Sequence, residues 1–242
     1  MCSPVKKYLK INSLFLLLFC FWIGFGSAEN KPQARINNPE FDFGYVPQKS
    51  KVSHVFYLHN TGTSPLTVLK IKSGCSCTSA SKIEKPIPPG DSAAVNITFN
   101  SGRYHSKVGK TTTIFTDDPD SSVLFLEIFA EVQKKDEMVP GLNISPRKLE
   151  IQINDDGAIT DFDSLEIINN GPDSIAVNII DISKNIIENI IIPENIKPSE
   201  TISPSIEMNN TSLSEKTRGV SITFGFIGSD TTIVTVPIKI KK

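Results

Sequence analysis

The chain carries few of the side chains that enzymes use. Its 242 residues include three histidines and four cysteines. It has no Gly-x-Ser-x-Gly elbow, no His-Glu-x-x-His and no phosphate-cradling glycine loop. No hydrolytic machinery can be assembled from such motifs, and the expectation is a protein that is not an enzyme. Charge of one sign is lacking as well: 25 basic side chains face 26 acidic ones, so no net field recruits nucleic acid or an anionic membrane surface. No apolar stripe of helical period is present, which argues against a helical core. Asp117, Asp118 and Asp120 are close enough to suggest calcium, but the twelve-residue loop and its closing glutamate are missing. These aspartates read as a solvated β-turn.

One long hydrophobic run exists, from Leu14 to Phe25, and it is too short to span a bilayer comfortably. Lys6, Lys7 and Lys10 precede it and Gly26-Ser27-Ala28 follows, which is the pattern of a secretory signal peptide over residues 1–28. Phe19 is too large for the residue before a lipidated cysteine, so Cys20 is not expected to be an anchor. The mature chain is expected to begin near Glu29, with no stable membrane span, in an exported location, periplasmic or extracellular, that is oxidising. Cys2 and Cys20 leave with the signal. Only Cys75 and Cys77 remain, one residue apart.

What is present repeats. A shift of 109 positions, from 58 to 167, lays "LHNTGTSPLTVLKI" on "IINNGPDSIAVNII" without a gap. Further on, Pro89 falls on Pro198, Asp91 on Glu200, Ile97 on Ile206 and Phe115 on Phe224. Two copies of one module are therefore expected, over residues 35–134 and 142–242, joined by a charged linker at 135–141. Within each copy apolar residues recur at every second position, as at Phe56 and Leu58, or Val95, Ile97 and Phe99. Turn signals such as Asn60-Thr61-Gly62, Pro88-Pro89-Gly90 and Asn170-Gly171-Pro172 separate the runs. Roughly seven strands in about a hundred residues is the signature of an immunoglobulin-like sandwich. The expected fold class is all-β: two tandem immunoglobulin-like antiparallel β-sandwiches after an N-terminal signal peptide, without the usual intersheet disulfide.

The first copy carries a set of linked motifs: "FDFGYV" at Phe41, "VSHVFYLHNTG" at Val52, "SGCSCT" at Ser73, "PIPPGDSAAVNITFN" at Pro86 and "GRYHSKVGKTTTIFTDDP" at Gly102. Together they resemble a bacterial exported family, the domain-of-unknown-function family fifteen-seventy-three. That family's cysteine motif usually reads Cys-Gly-Cys-Thr, so Cys75, Cys77 and Thr78 match while Ser76 departs from it. The resemblance implies an immunoglobulin-like fold related to modules of ciliary and centrosomal proteins and of pilus chaperones, in a cell-envelope protein. It implies no activity.

The cysteine pair leaves several chemistries open. Two soft sulfurs suit copper or zinc, with His54 or His105 completing the set, although tetrahedral zinc tends to use two to four intervening residues. A disulfide across one residue is possible, yet in an extended strand its Cα atoms sit near the upper limit of about 6.8 Å. Two buried small apolar thiols capping the sandwich edge, inert or paired between molecules, are the third reading. The 109-position shift puts Lys184 and Ile186 where Cys75 and Cys77 stand, so the module itself does not need two thiols there. His54 shares the face of Phe56 and Leu58 and is expected to be a hydrogen-bonded core histidine, whereas His105 lies in a turn-rich, solvated stretch. The functional expectation is a non-catalytic envelope protein that binds or scaffolds a protein or glycan, without a cofactor. A copper- or zinc-binding or thiol-redox protein built on Cys75 and Cys77 is the alternative.

Overall fold

Alternation becomes strand along the chain. The computed structural model describes residues 30–134, 137–209, 213–214, 217 and 219–242, and every helix or strand element among them is a strand. The leader expected over residues 1–28 lies outside the described residues. Eight strands fill the first half: β1 (Ala34–Arg35), β2 (Glu40–Pro47), β3 (Lys51–Asn60), β4 (Val68–Ser73), β5 (Thr78–Ala80), β6 (Ser92–Asn100), β7 (Ser106–Thr116) and β8 (Val123–Gln133). The second half holds β9 (Leu142–Ser145), β10 (Leu149–Ile153), β11 (Ile159–Phe162), β12 (Glu166–Asn169), β13 (Ile175–Ile182) and β14 (Ile187–Ile191). It ends with β15 (Asn195–Ile196), β16 (Thr201–Ile202), β17 (Ser205–Met208), β18 (Ser221–Ile227) and β19 (Thr231–Lys241). In β3, Val52, Phe56 and Leu58 are buried while Val55 and Tyr57 between them are exposed, the behaviour of a strand with one face on a core.

The sheet β1-β3-β6-β5 packs on the β2-β8-β7-β4 part of a ten-stranded sheet, and the two layers close around Phe43, Phe56, Leu58, Phe99, Ile114 and Leu126. A second core gathers Leu149, Ile151, Leu165, Ile167, Phe224 and Val236. Burying each such side chain contributes about 1.5–3 kcal/mol. The two cores share no buried residue, and among the described residues Tyr45 is the one partly buried hydrophobic side chain of the first half that packs against the second core. Val139, inside the stretch expected to be a linker, is 2% exposed and belongs to the second core, so that stretch is packed at its C-terminal end.

The same bonds recur 109 positions apart. The Asn60 Nδ2 donates to the carbonyls of Ser64 and Ile87, and its Oδ1 accepts from the Gly62 N–H. Asn169 does likewise with Asp173, Ile196 and Gly171. Leu58 pairs with Ala93 as Ile167 does with Ile202, and Lys70 pairs with Phe115 as Ile179 does with Phe224. Gly90 and Ser199 both adopt a positive φ, 78° and 61°, at the turn that follows.

The sheets are mixed rather than antiparallel, which corrects the expectation. Strand β2 runs parallel to β8, β10 to β19, and β19 to β2. Parallel neighbours need a long connection, and between β2 and β8 that connection is everything from β3 to β7. Alternation fixes which residues face inward in either direction, so the sequence pattern cannot distinguish the two. The N-terminal half of β19 meets β2 at Val234 and Tyr45 and its C-terminal half takes β10, which runs one sheet through both halves.

Candidate functional site

The cysteine pair sits in the turn that carries the chain from one layer to the other. Strand β4 is the last strand of the large sheet and β5 the last of the small one, so residues 74–77 cross the open side between them. Three backbone bonds shape the crossing: Gly74 N–H to Thr111 O at 3.0 Å, Thr78 N–H to Cys75 O at 3.4 Å and Asn100 N–H to Cys77 O at 2.8 Å. Curling the chain brings the Cα atoms of Cys75 and Cys77 to 5.3 Å, and the two sulfurs form a disulfide. The extended-strand argument against this bond fails because these residues are not in a strand. The buried Thr78 hydroxyl lies 3.4 Å from Cys75 Sγ and 3.7 Å from Cys77 Sγ, Cys77 packs half-buried on the first core, and Ser76 points to solvent.

The second half makes the same crossing without sulfur. Asn209 N–H donates to Ile186 O at 2.8 Å, the counterpart of the Asn100 to Cys77 bond, and Ile187 pairs with Met208 as Thr78 pairs with Phe99. There the buried Ile186 fills the place of Cys77, and Asn209 Nδ2 donates to Lys184 O at 2.7 Å.

The four residues considered as metal ligands are not brought together. Cys75 and Cys77 are bonded to each other, and each histidine holds a carboxylate elsewhere. His105 Nε2 lies 2.9 Å from Glu137 Oε1. That hydrogen bond, with a second from Lys134 N–H, holds the Glu137 carboxyl below its ordinary value. His105 is therefore a paired rather than a simply solvated side chain. Among the described residues no group of three or more His, Cys, Asp or Glu side chains is placed to hold a metal ion, and no helix is long and apolar enough to cross a membrane.

His54 is half-buried, and its role is a different one from a core histidine. Its ring stacks on Phe41 at 3.7 Å and meets the Phe56 edge at 4.7 Å, and Nδ1 lies 2.8 Å from Asp181 Oδ2 on β13. A carboxylate only accepts, so Nδ1 carries the proton. This pair belongs to a polar seam between the halves. Ser53 Oγ donates to Gly219 O at 2.5 Å, and the fully buried Thr235 donates to Phe43 O at 2.7 Å while sharing a 2.9 Å bond with Thr223. At the centre, β2 bulges between Asp42 and Tyr45, and Gly44 takes φ 59° there. A Cβ on Gly44 would lie 2.0 Å from Ile233 O, so only glycine lets the two backbones approach this closely. Beside the seam opens a cleft of about 860 Å³, lined among others by Asp42, Tyr45, Lys107, Phe129, Glu131 and Asp230. Burial, and then the nearby Glu131, push the Tyr45 phenol above its ordinary value.

In the aspartate turn Asp117 and Asp120 are exposed as expected, and Asp118 departs from that state. Asp118 is 1% exposed and its Oδ2 accepts from the Ala34 N–H at 2.7 Å, tying β1 to the β7–β8 turn. Burial pushes this carboxyl up, but the N–H donors of Ala34, Asp120 and Ser121 and the charge of Lys31 outweigh it and hold the group below the usual carboxylate range. The sequence signal that marks Asp118 as structural is its place two residues before Asp120, whose N–H it accepts at 2.8 Å.

No curated protein matches the chain. Among solved structures it is similar to an ASH/PapD-like domain of human CEP192, with 13% identity, 55% of this chain and 94% of that one covered, and a TM-score of 0.34. It is also similar to a protein of unknown function from Porphyromonas gingivalis W83, with 12% identity, coverage of 86% and 99%, and a TM-score of 0.35. The E. coli chaperone DraB gives 9% identity, coverage of 86% and 97%, and a TM-score of 0.33. These likenesses are faint and none carries a functional assignment. The match to a family is firmer: residues 34–132, which are β1 through β8 and the Cys75–Cys77 turn, match the family model described as "Protein of unknown function (DUF1573)", and this segment is a member of that family.

Proposed function

We propose that the protein is an exported, non-catalytic binding or scaffolding protein of the cell envelope. Two immunoglobulin-like sandwiches, copies of one module, are held in a fixed orientation and present a sheet to a protein or glycan partner. The observation that carries this reading is the β4 end of the large sheet. Val123 pairs with Phe115 and Phe115 with Lys70; Phe125 pairs with Thr113 and Thr113 with Lys72. Paired residues share a face, so Val123 and Phe125, 43% and 55% exposed, stand with Phe115 on the outer surface, and Phe129 adds to them further along β8. Among the described residues β4 has no strand partner on its other side, which leaves backbone donors and acceptors for an added strand. Exposed apolar surface beside an open edge is the form that partner-binding sheets take. Export is supported by the signal-peptide pattern and by a disulfide, which persists in oxidising compartments.

A photoreactive side chain at position 125 should crosslink one defined envelope partner in the native cell, and Phe125→Lys should abolish that capture without unfolding the protein. A hydrolase or transferase activity that survives purification and disappears on substituting an identified acid or nucleophile would overturn the reading. The thiol-redox alternative has one support, a half-exposed disulfide in a turn that the second copy builds without sulfur. Thiol counting in cells grown with and without a reductant tests it. A pair that stays fully oxidised in both excludes that role.

A further inference from the structure

The balanced charge of the sequence conceals a local excess. Two adjoining concavities, about 650 Å³ and 500 Å³, share Lys49 and Lys148 in their linings. Lys134 and Arg147 complete the basic lining of the first, whose single acid among the described residues is Glu137. The second is lined by Lys51, Lys239, Lys241 and Lys242 as well, with no acid among the described residues. Three carboxylates nearby are already engaged: Glu137 by His105, Glu150 by Lys241 and Asp155 by Lys242. Lys49, Lys51, Arg147, Lys148 and Lys239 form no ion pair among the described residues.

Arg147 shows what the groove is made for. Its Nη1 donates to Gln133 Oε1 at 3.0 Å, but Nε and Nη2 are buried and have no acceptor among the described residues. Those two N–H groups point the same way and form the side-on fork of the guanidinium, which matches the two oxygens of an oxyanion. Two buried donors of a cation left unanswered are costly, and an anion on the fork removes the cost. Burial already depresses the Arg147 guanidinium. Lys148 is depressed too, by burial and by Lys239, with Glu150 opposing. Lys148 spends one donor on Lys49 O at 2.9 Å, which fixes its ammonium group between the two concavities.

We propose that this groove binds a linear polyanion whose charges are phosphate groups, with one phosphate on the Nε/Nη2 fork of Arg147 and the next along Lys148, Lys49, Lys51 and Lys239. Phosphate is preferred to carboxylate because a terminal phosphate brings more than one negative charge and three acceptor oxygens to a run of cations, and each internal one keeps a charge and two free oxygens for the fork. Both fork nitrogens are closed to solvent, so the anion enters by parting the side chains that line the first concavity. The groove is separate from the Phe125 face, and Phe125→Lys leaves it intact.

Inorganic tripolyphosphate, titrated calorimetrically into the full mature chain at low salt, should bind, and added salt should weaken the binding. Arg147→Gln should weaken it at least tenfold, and so should the double variant Lys148→Gln, Lys239→Gln, which decides the matter if the Arg147 variant does not fold. Three results would overturn the proposal: no binding of tripolyphosphate, binding that both sets of substitutions leave unchanged, or equally tight binding of poly-L-glutamate of the same charge. Binding to anionic lipid vesicles without binding to tripolyphosphate counts against it in the same way.

Discussion

Replacing Gly44 with alanine tests whether the seam fixes the two halves. The residue sits at φ 59°, where any residue with a Cβ costs about 1–2 kcal/mol. The added Cβ would also lie 2.0 Å from Ile233 O and 2.4 Å from Ile233 C, both backbone atoms that cannot rotate away. Strand β2 must therefore separate from β19, which removes the bond from Thr235 to Phe43 O, a buried hydrogen bond of about 0.5–1.5 kcal/mol. Together these give a loss of about 3 kcal/mol. The cores themselves are separate, so the loss should fall on the coupling between them. Urea denaturation followed by circular dichroism should show a lower midpoint and a shallower or two-step transition. Gly90 is the control: it has φ 78° but nothing within 4 Å of its Cβ position, and Ser199 occupies the equivalent site at φ 61°. Gly90→Ser should cost about 1 kcal/mol and leave the transition single. If Gly44→Ala costs no more than Gly90→Ser and the slope is unchanged, the seam does not hold the halves together.

Replacing Cys75 and Cys77 together with serine should leave the protein folded. The bond joins residues two apart, and chain entropy over so small a ring gives about 1.6 kcal/mol, read as a midpoint shift in urea; loss of folding would make the pair an obligatory staple. Asp118→Ala should strand the Ala34 and Asp120 N–H groups and cost about 2–4 kcal/mol at pH 7. Because the folded carboxyl lies below the unfolded value of about 3.9, its contribution is present above that pH and is lost as pH falls through the lower folded value. The gap between wild type and variant should therefore shrink in acid, and a gap of constant size from pH 7 to about pH 2 refutes this account. N-terminal sequencing of the exported protein should begin at or near Glu29, and an acylated Cys20 at the amino terminus would disprove that cleavage.

Much of the architecture was legible residue by residue. Alternation in "VSHVFYLHN" marks Val52, Phe56 and Leu58 as inward, because side-chain direction in a strand is set locally and a one-sided core must be served by every second residue. The 109-position shift was legible for a related reason. Asn60 and Asn169 hold their turns through bonds to nearby segments that recur with the repeat, and these need the same residue at the same place. The crossing turn was less so, since a Cys-x-Cys spacing fits a ligand pair, two thiols or a bridge, and only the curl of residues 74–77 brings the sulfurs together.

Tertiary structure alone decided the rest. Nothing in "FDFGYV" sets Gly44 apart until Ile233 of β19 is seen lying against it, 189 positions down the chain, and nothing near His54 announces Asp181. Parallel pairing of β2 with β8 leaves the same alternation as antiparallel pairing would. The basic groove is invisible for another reason: charges sum along a chain whatever their order, and only folding places Lys49, Arg147, Lys148 and Lys239 on one groove. Local periodicity determined the strands, because burial acts on each residue through its neighbours in the chain. The meeting of the two halves determined the seam and the groove, because those contacts join segments whose approach no local pattern encodes.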